Sequence, residues 1–174
     1  MLIMMTGNAY SGKTTAALHL VRQHGFVRLS FAKPLKDMIG ALDVPHEYIY
    51  GGLKDTPCPE LGGLTFRHGA QTLGTDWGRK LMHPDFWVWM MERLLNNRYE
   101  GCDVVIDDGR FLNEAAMVRK RKGLIWRIWN DGIEDTVKKH ESELELEQID
   151  YDKKIINNGT REHLYATLDR ELPT

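Results

Sequence analysis

The stretch Gly7-Asn8-Ala9-Tyr10-Ser11-Gly12-Lys13-Thr14 matches the pattern G-x-x-x-x-G-K-[ST] and follows the apolar run Leu2 to Thr6. That run reads as a buried strand, and the residues from Gly12 to His24 read as a helix. Few local features constrain a fold so tightly. The two glycines permit a loop whose backbone N–H groups wrap an anion. The helix that opens at the end of the loop turns its positive dipole end toward the same anion. In such a loop Lys13 reaches the β- and γ-phosphates of a nucleotide, and the Thr14 hydroxyl ligates Mg²⁺. A chance glycine turn is the competing reading, and the strand before and helix after the loop weigh against it. Gly7, Asn8, Ala9, Tyr10, Ser11, Gly12, Lys13, Thr14 and Thr15 are therefore expected to hold the phosphates of ATP.

The rest of the chain alternates strands with helices. Gly25 to Ser30, Asp103 to Asp107, Gly123 to Trp129 and Lys153 to Asn158 read as strands. Lys33 to Leu42, Pro84 to Asn97, Asn113 to Arg121 and Arg161 to Leu172 read as helices. Phe66 to Leu81 reads as helical but broken near Gly74. Val44 to Leu64 is rich in Gly and Pro and reads as a long loop. This order predicts an α/β chain with a parallel sheet and helices on both faces. With 174 residues and no linker or repeat, one domain is expected.

Charge and cysteine content narrow the partners. The formal net charge is −2, which argues against a chain held mainly by nucleic-acid phosphates. No apolar run approaches the roughly 20 residues of a membrane helix, and the N-terminal run is too short for a signal peptide. Cys58 and Cys102 stand alone, as reduced thiols in a cytoplasmic protein do.

A phosphate loop does not name a reaction. A GTPase switch carries an N-K-x-D motif for the base, which is missing here, and a motor ATPase needs more chain. A short chain with the loop at its start favours a small-molecule kinase, and an acceptor then needs cations of its own. Arg67 and Gln71 lie four apart on a helix, hence on one face, and Arg79 follows a Gly-Thr-Asp turn. Guanidinium forks bind oxyanions bidentately, although surface ion pairs would account for both arginines equally well. In Val104 to Ala115, acids stand at the end of a parallel strand, where such folds bind ligands. Asp107 or Asp108 is placed to hold Mg²⁺ through water or to poise the acceptor, and Arg110 projects into the same region. Acids decorating a helix start are the alternative.

These separated motifs together resemble the phage-type deoxynucleoside monophosphate kinases, a branch of the P-loop nucleotide kinases. The resemblance covers nearly the whole chain. It rests on the loop itself, on Leu29 to Met38 ("LSFAKPLKDM"), Phe66 to Val88 ("FRHGAQTLGTDWGRKLMHPDFWV"), Val105 to Ala115 ("VIDDGRFLNEA"), His140 to Glu143 ("HESE") and Ile155 to Leu164 ("IINNGTREHL"). It implies a P-loop kinase fold with a five-stranded parallel sheet, an acceptor-binding helical insertion at about residues 33–98 and a lid at about 131–148, all within one domain spanning 1–174. It implies phosphoryl transfer from ATP to a deoxynucleoside monophosphate, with ATP and Mg²⁺ as cofactors. The partners implied are small-molecule nucleotides, not nucleic acid or membrane, and the compartment is the host cytoplasm if a phage encodes the chain.

Carried over by position, Lys13, Asp108 and Arg110 are catalytic, and Thr14 and Asp108 hold the metal. Lys36, Arg67, Gln71, Arg79, Trp87, Arg110 and Glu114 belong to the acceptor site, with Lys54 a further cation. Asn157 and Asn158 meet the adenine. Trp87 also fits an apolar helix stripe with Met90, Met91, Leu94 and Leu95, which favours core packing over base stacking. That Trp- and Met-rich helix leaves packing within the chain and across a homodimer both open. Two departures stand out. Thr14 occupies a position where many relatives carry Asp. Asn130 occupies one where relatives often carry Arg, so Lys138, Lys139 and His140 become the candidate lid cations. The run Arg119 to Lys122 lies before a strand, the wrong end for a site, and reads as solvated surface. A P-loop kinase for another acceptor, such as dephospho-coenzyme A or a ribonucleoside monophosphate, shares the fold and first motif. A non-enzymatic ATP-binding module is the rival from another class.

Overall fold

The computed structural model describes residues 1–132 and 145–173. Lys138, Lys139, His140 and the His140 to Glu143 motif lie outside the described residues. The chain divides into two compact units, one of residues 1–30 and 92–174, the other of Phe31–Met91.

The first unit is built on a five-stranded parallel sheet. Its strands are β1 (Leu2–Thr6), β2 (Val27–Leu29), β3 (Val104–Ile106), β4 (Leu124–Trp129) and β5 (Lys153–Ile156), in the spatial order β2-β3-β1-β4-β5. β1 is central, paired along both edges with β3 and β4, and helices pack over both of its faces. That explains its unbroken apolar sequence: Ile3, Met4 and Met5 are fully buried. Helices α1 (Lys13–His24) and α7 (Arg161–Glu171) pack on one face, where Ala16, Ala17, Leu20, Leu164 and Leu168 join Ile3, Met5, Trp126 and Ile128 in one cluster. The two alanines let α1 approach the sheet closely. Helix α6 (Leu112–Lys120) packs against β1 and β4 from the other face, toward which Met4 points by strand alternation. Among the described residues no helix is long and apolar enough to cross a membrane.

The second unit holds α2 (Lys33–Gly40), α3 (His46–Ile49), a 3₁₀ turn (Pro59–Leu61), α4 (Phe66–Gln71), a π-helical stretch (Thr72–Met82) and the start of α5 (Phe86–Asn97). Its own core gathers Leu35, Ile39, Val44, Ile49, Cys58, Phe66 and Trp87. Two expectations are corrected here. The stretch from Val44 to Leu64 is not loop throughout, because burial of Ile49 and Cys58 in this core organises α3 and the 3₁₀ turn on either side. Nor does the helix break near Gly74. It continues as 11 π-helical residues, and the His83 N–H still reaches back five residues to the Gly78 carbonyl. The glycines serve packing instead. The Trp87 indole donates to the Gly74 carbonyl at 2.8 Å, and a Cβ on Gly78 would lie 2.5 Å from the same indole nitrogen.

Candidate active site

The loop between β1 and α1 is shaped by backbone conformations that demand glycine. Gly7 has φ +136°, and a Cβ there would stand 2.2 Å from the Ile128 carbonyl oxygen. Gly12, with φ +102°, caps the N-terminus of α1. Lys13 folds back under the loop and donates from Nζ to the carbonyls of Gly7 and Asn8, both at 2.7 Å. Burial holds its pKa down at about 8; repulsion from Arg110 adds to the shift, and Asp108 and Asp107 oppose it. Lys13, Arg110, Asp107 and Asp108 therefore share one electrostatic neighbourhood.

Two neighbouring carboxylates at the end of β3 do different things. Asp107 is 4 % exposed and accepts from the Thr14 hydroxyl at 3.0 Å and from Arg28 Nε at 2.8 Å. Asp108 accepts from the Ser30 hydroxyl at 2.6 Å. The sequence reading put the metal on Thr14 and Asp108, whereas the carboxylate beside Thr14 is that of Asp107. A hydroxyl and a carboxylate oxygen brought together at the end of a phosphate loop are hard donors of the kind Mg²⁺ prefers, so the residues fit that ion. Glu114 is buried and accepts from the backbone N–H groups of Arg110, at 2.8 Å, and Phe111, at 3.1 Å. It fixes the turn that presents Arg110 and caps α6.

Beside the loop a cavity of about 540 Å³ opens, walled by Tyr10, Thr15, Asn130, Asn158, Gly159 and Arg161 among others. That volume suits a small ligand. Asn157 ties its far wall to the phosphate loop, because its side-chain amide donates to the Ser11 carbonyl at 2.9 Å. Asn130, which stands where relatives often carry Arg, donates to the Asn157 carbonyl at 2.7 Å. Asn158 accepts from the Asp131 N–H at 2.9 Å.

Within the second unit, Lys36, Lys54 and Arg67 come together. Burial lowers the Lys54 pKa, and the charges of Lys36 and Arg67 lower it further. Arg67 grips the exposed Asp55 carboxylate through Nε and, at 3.0 Å, through Nη2. Gln71 lies exposed one turn further along α4, and Arg79 donates to the Pro84 carbonyl at 3.3 Å. Trp87 is 3 % exposed and belongs to the core of this unit. Arg28, Ser30 and Asn130 escaped the sequence reading as partners of the site. Their contacts lie 79, 78 and 27 residues away in the chain, beyond any local pattern.

Comparison with known proteins adds to this geometry. Residues 60–168 match the family described as deoxynucleotide monophosphate kinase. A protein of Acanthamoeba polyphaga mimivirus, assigned as a deoxynucleotide monophosphate kinase, is 37 % identical over 185 aligned positions, covering 96 % of this chain and 93 % of that one. Among solved structures, shikimate kinase from Aquifex aeolicus vf5 superposes with a TM-score of 0.55 at 16 % identity, over 98 % of this chain and 94 % of that one. Shikimate kinase from Bacteroides thetaiotaomicron gives 0.50 at 15 % identity, over 98 % and 95 %. At such identities the likeness is one of fold, that of the P-loop kinases.

Proposed function

The chain belongs to the deoxynucleotide monophosphate kinases, and from that premise we propose that it transfers the γ-phosphoryl group of ATP to a deoxynucleoside monophosphate. The products are ADP and a deoxynucleoside diphosphate. The observation that carries this reading is the buried Lys13 charge beneath a glycine-shaped loop, with Asp107, Asp108 and Arg110 around it.

In this reading the loop N–H groups and Lys13 hold the ATP phosphates, and the cavity bounded by Asn158 and Gly159 takes the adenosine. Mg²⁺, when bound through Thr14 and Asp107, neutralises charge on the transferring phosphates. Arg28 holds the Asp107 carboxylate in place through its Nε hydrogen bond. Asp108 and Arg110 face the transferring group, and Glu114 acts through Arg110 by fixing its backbone. The second unit is the acceptor-binding insertion of one kinase domain. Arg67, Lys36 and Lys54 receive the acceptor phosphate, which displaces Asp55 from Arg67; an exposed ion pair contributes little and exchanges readily. Gln71 and Arg79 complete that side, while Trp87 is left to the core. Little covalent chemistry is asked of the protein, since positioning and charge stabilisation do most of the work in phosphoryl transfer. The viral relative and two free cysteines support a role in DNA-precursor supply in a host cytoplasm.

The test is ADP formation from Mg·ATP with dAMP, dGMP, dCMP, dTMP, their ribose counterparts and dephospho-coenzyme A offered singly. Turnover with one or more deoxynucleotides, well above the acceptor-free rate, is expected. Turnover with dephospho-coenzyme A alone would transfer the chain to a different acceptor class. ATP binding without acceptor-dependent turnover would leave a binding module.

A further inference from the structure

Helices α1 and α7 carry a side-chain cluster that phosphoryl transfer does not use. His19 and His24 lie on α1, and Asp169 lies near the end of α7. Nε2 of His19 stands 2.6 Å and Nε2 of His24 2.8 Å from one and the same oxygen, Oδ1 of Asp169. The three potential ligand atoms all lie within 4.8 Å of one another. The two rings are steeply inclined, at 73°, so their in-plane nitrogen directions approach the shared oxygen from different sides. His19 is 8 % exposed and stacks on Tyr165 with ring centroids 4.2 Å apart and planes within 6°. One imidazole is thus fixed by packing, while His24 sits exposed in the last turn of its helix.

We propose that His19, His24 and Asp169 form a binding site for a divalent first-row transition metal, best matched by Zn²⁺, that staples α1 to α7. Two imidazole nitrogens and one carboxylate oxygen are a borderline donor set. It suits Zn²⁺ and its neighbours rather than Mg²⁺ or Ca²⁺, which take oxygen ligands. The site is therefore chemically distinct from the oxygen donors of Thr14 and Asp107. Without metal, each Nε2 carries a proton and donates it to Asp169. With metal, each ring keeps its proton on Nδ1 and offers the Nε2 lone pair instead. Tetrahedral Zn²⁺ with bonds of about 2.0–2.1 Å spaces its ligand atoms roughly 3.3 Å apart, so the metal parts Asp169 Oδ1 from both nitrogens, which stand 2.6 and 2.8 Å from it, as it takes their place as its partner. A terminal-turn residue such as His24 accommodates that movement. Three protein ligands leave a fourth position to water from the exposed side. Asp169 lies 150 residues from His19 and 145 from His24 in sequence, so the metal cross-links the fold. The staple lies toward the C-terminal ends of α1 and α7, away from the ends that meet the phosphate loop and the Asn157 to Gly159 loop. It therefore stabilises the scaffold without entering the transfer step.

The full-length protein, stripped with EDTA and dialysed, would be titrated with Zn²⁺ by calorimetry and with Co²⁺ by visible absorption. One equivalent of Zn²⁺ is expected to bind and to raise Tm. Co²⁺ should show the visible bands of a four-coordinate site. His24→Ala and Asp169→Asn should each weaken Zn²⁺ binding by at least about tenfold and remove the Tm shift, with kcat for Mg·ATP and far-UV circular dichroism unchanged. No saturable Zn²⁺ binding by the wild type would overturn the proposal. So would equal affinity in both variants, which would move the binding to other surface histidines.

Discussion

The two units handle charge in opposite ways. In the first, the cation that matters is buried and held by backbone: Lys13 bonds to two loop carbonyls, and the loop around it is set by Gly7 and Gly12. In the second, Lys36 and Arg67 are side-chain charges on short helices and Lys54 lies in a turn, with an exposed carboxylate, Asp55, as counter-ion to Arg67. A site fixed by backbone is all-or-none, because one wrong Cβ or one missing charge removes its geometry. A site made of converging side chains degrades by degrees, because the remaining cations still attract the anion. The contrast suits the two tasks of the proposed transfer, in which the triphosphate is held one way while the acceptor arrives and leaves.

The most severe test of that contrast is Lys13→Ala. Loss of a buried charge aimed at the transferring phosphates should lower kcat/KM by about 10²–10³-fold. Gly7→Ala should do the same by a different route, since its Cβ would collide with the Ile128 carbonyl at 2.2 Å. Steady-state rates with saturating acceptor would measure both. Near-normal turnover in either variant would break the picture of an all-or-none loop.

Arg67→Ala comes next. Removing one of three converging cations should raise the acceptor KM by about 10–100-fold, the worth of a charged hydrogen bond, and leave the KM for ATP unchanged. Arg79→Ala should act in the same direction but more weakly. A fall in ATP affinity with a constant acceptor KM would assign the second unit to the wrong substrate.

What was legible in the sequence follows the same division. The loop and the central strand were readable because their demands are local: glycine where φ is positive, unbroken apolar residues where a strand is covered on both faces. The five-stranded parallel sheet followed from the alternation of such segments. Features that depend on distant partners were not readable. Gly74 was taken as a break because glycine destabilises helices, yet its carbonyl meets Trp87, which lies 13 residues on. Thr14 pairs with Asp107, while the neighbouring acid, Asp108, takes the hydroxyl of Ser30, 78 residues away in the chain. Arg28 reads as an ordinary exposed strand residue until β2 is set beside β3. Asn130 reads as the place of an arginine in relatives and Asn157 as a contact to the adenine, and their hydrogen bonds, which together link the cavity wall to the phosphate loop, are legible in neither reading.

The pKa of Lys13 sharpens the comparison further. Burial lowers it to about 8, so in the ligand-free protein Lys13 is charged below that pH and neutral above it. Triphosphate stabilises the charged form, and ATP therefore binds with proton uptake once the pH exceeds about 8. The Kd for ATP should be flat below pH 8 and should rise by up to about tenfold per unit above it. Calorimetry in buffers of different ionisation enthalpy, from neutral pH upward, measures both the affinity and the proton. A flat profile to high pH would mean that Lys13 keeps an ordinary lysine pKa and is not buried as the loop geometry requires.

The smallest expected effect distinguishes packing from recognition within the second unit. Trp87→Phe removes an indole N–H that satisfies the Gly74 carbonyl and leaves space against Gly78. Losing this part-buried hydrogen bond should cost about 0.5–1.5 kcal/mol of stability, seen as a Tm lowered by a few degrees. The acceptor KM should not move, because the ring packs against Phe86 and Trp77 in this unit's core and presents almost no surface to a base. The opposite pattern, an intact Tm with a raised acceptor KM, would make Trp87 part of the acceptor site. The π-helical turns beneath it would then have to open for the acceptor to reach the ring, and the second unit would be a device that rearranges around its ligand rather than a preformed set of charges.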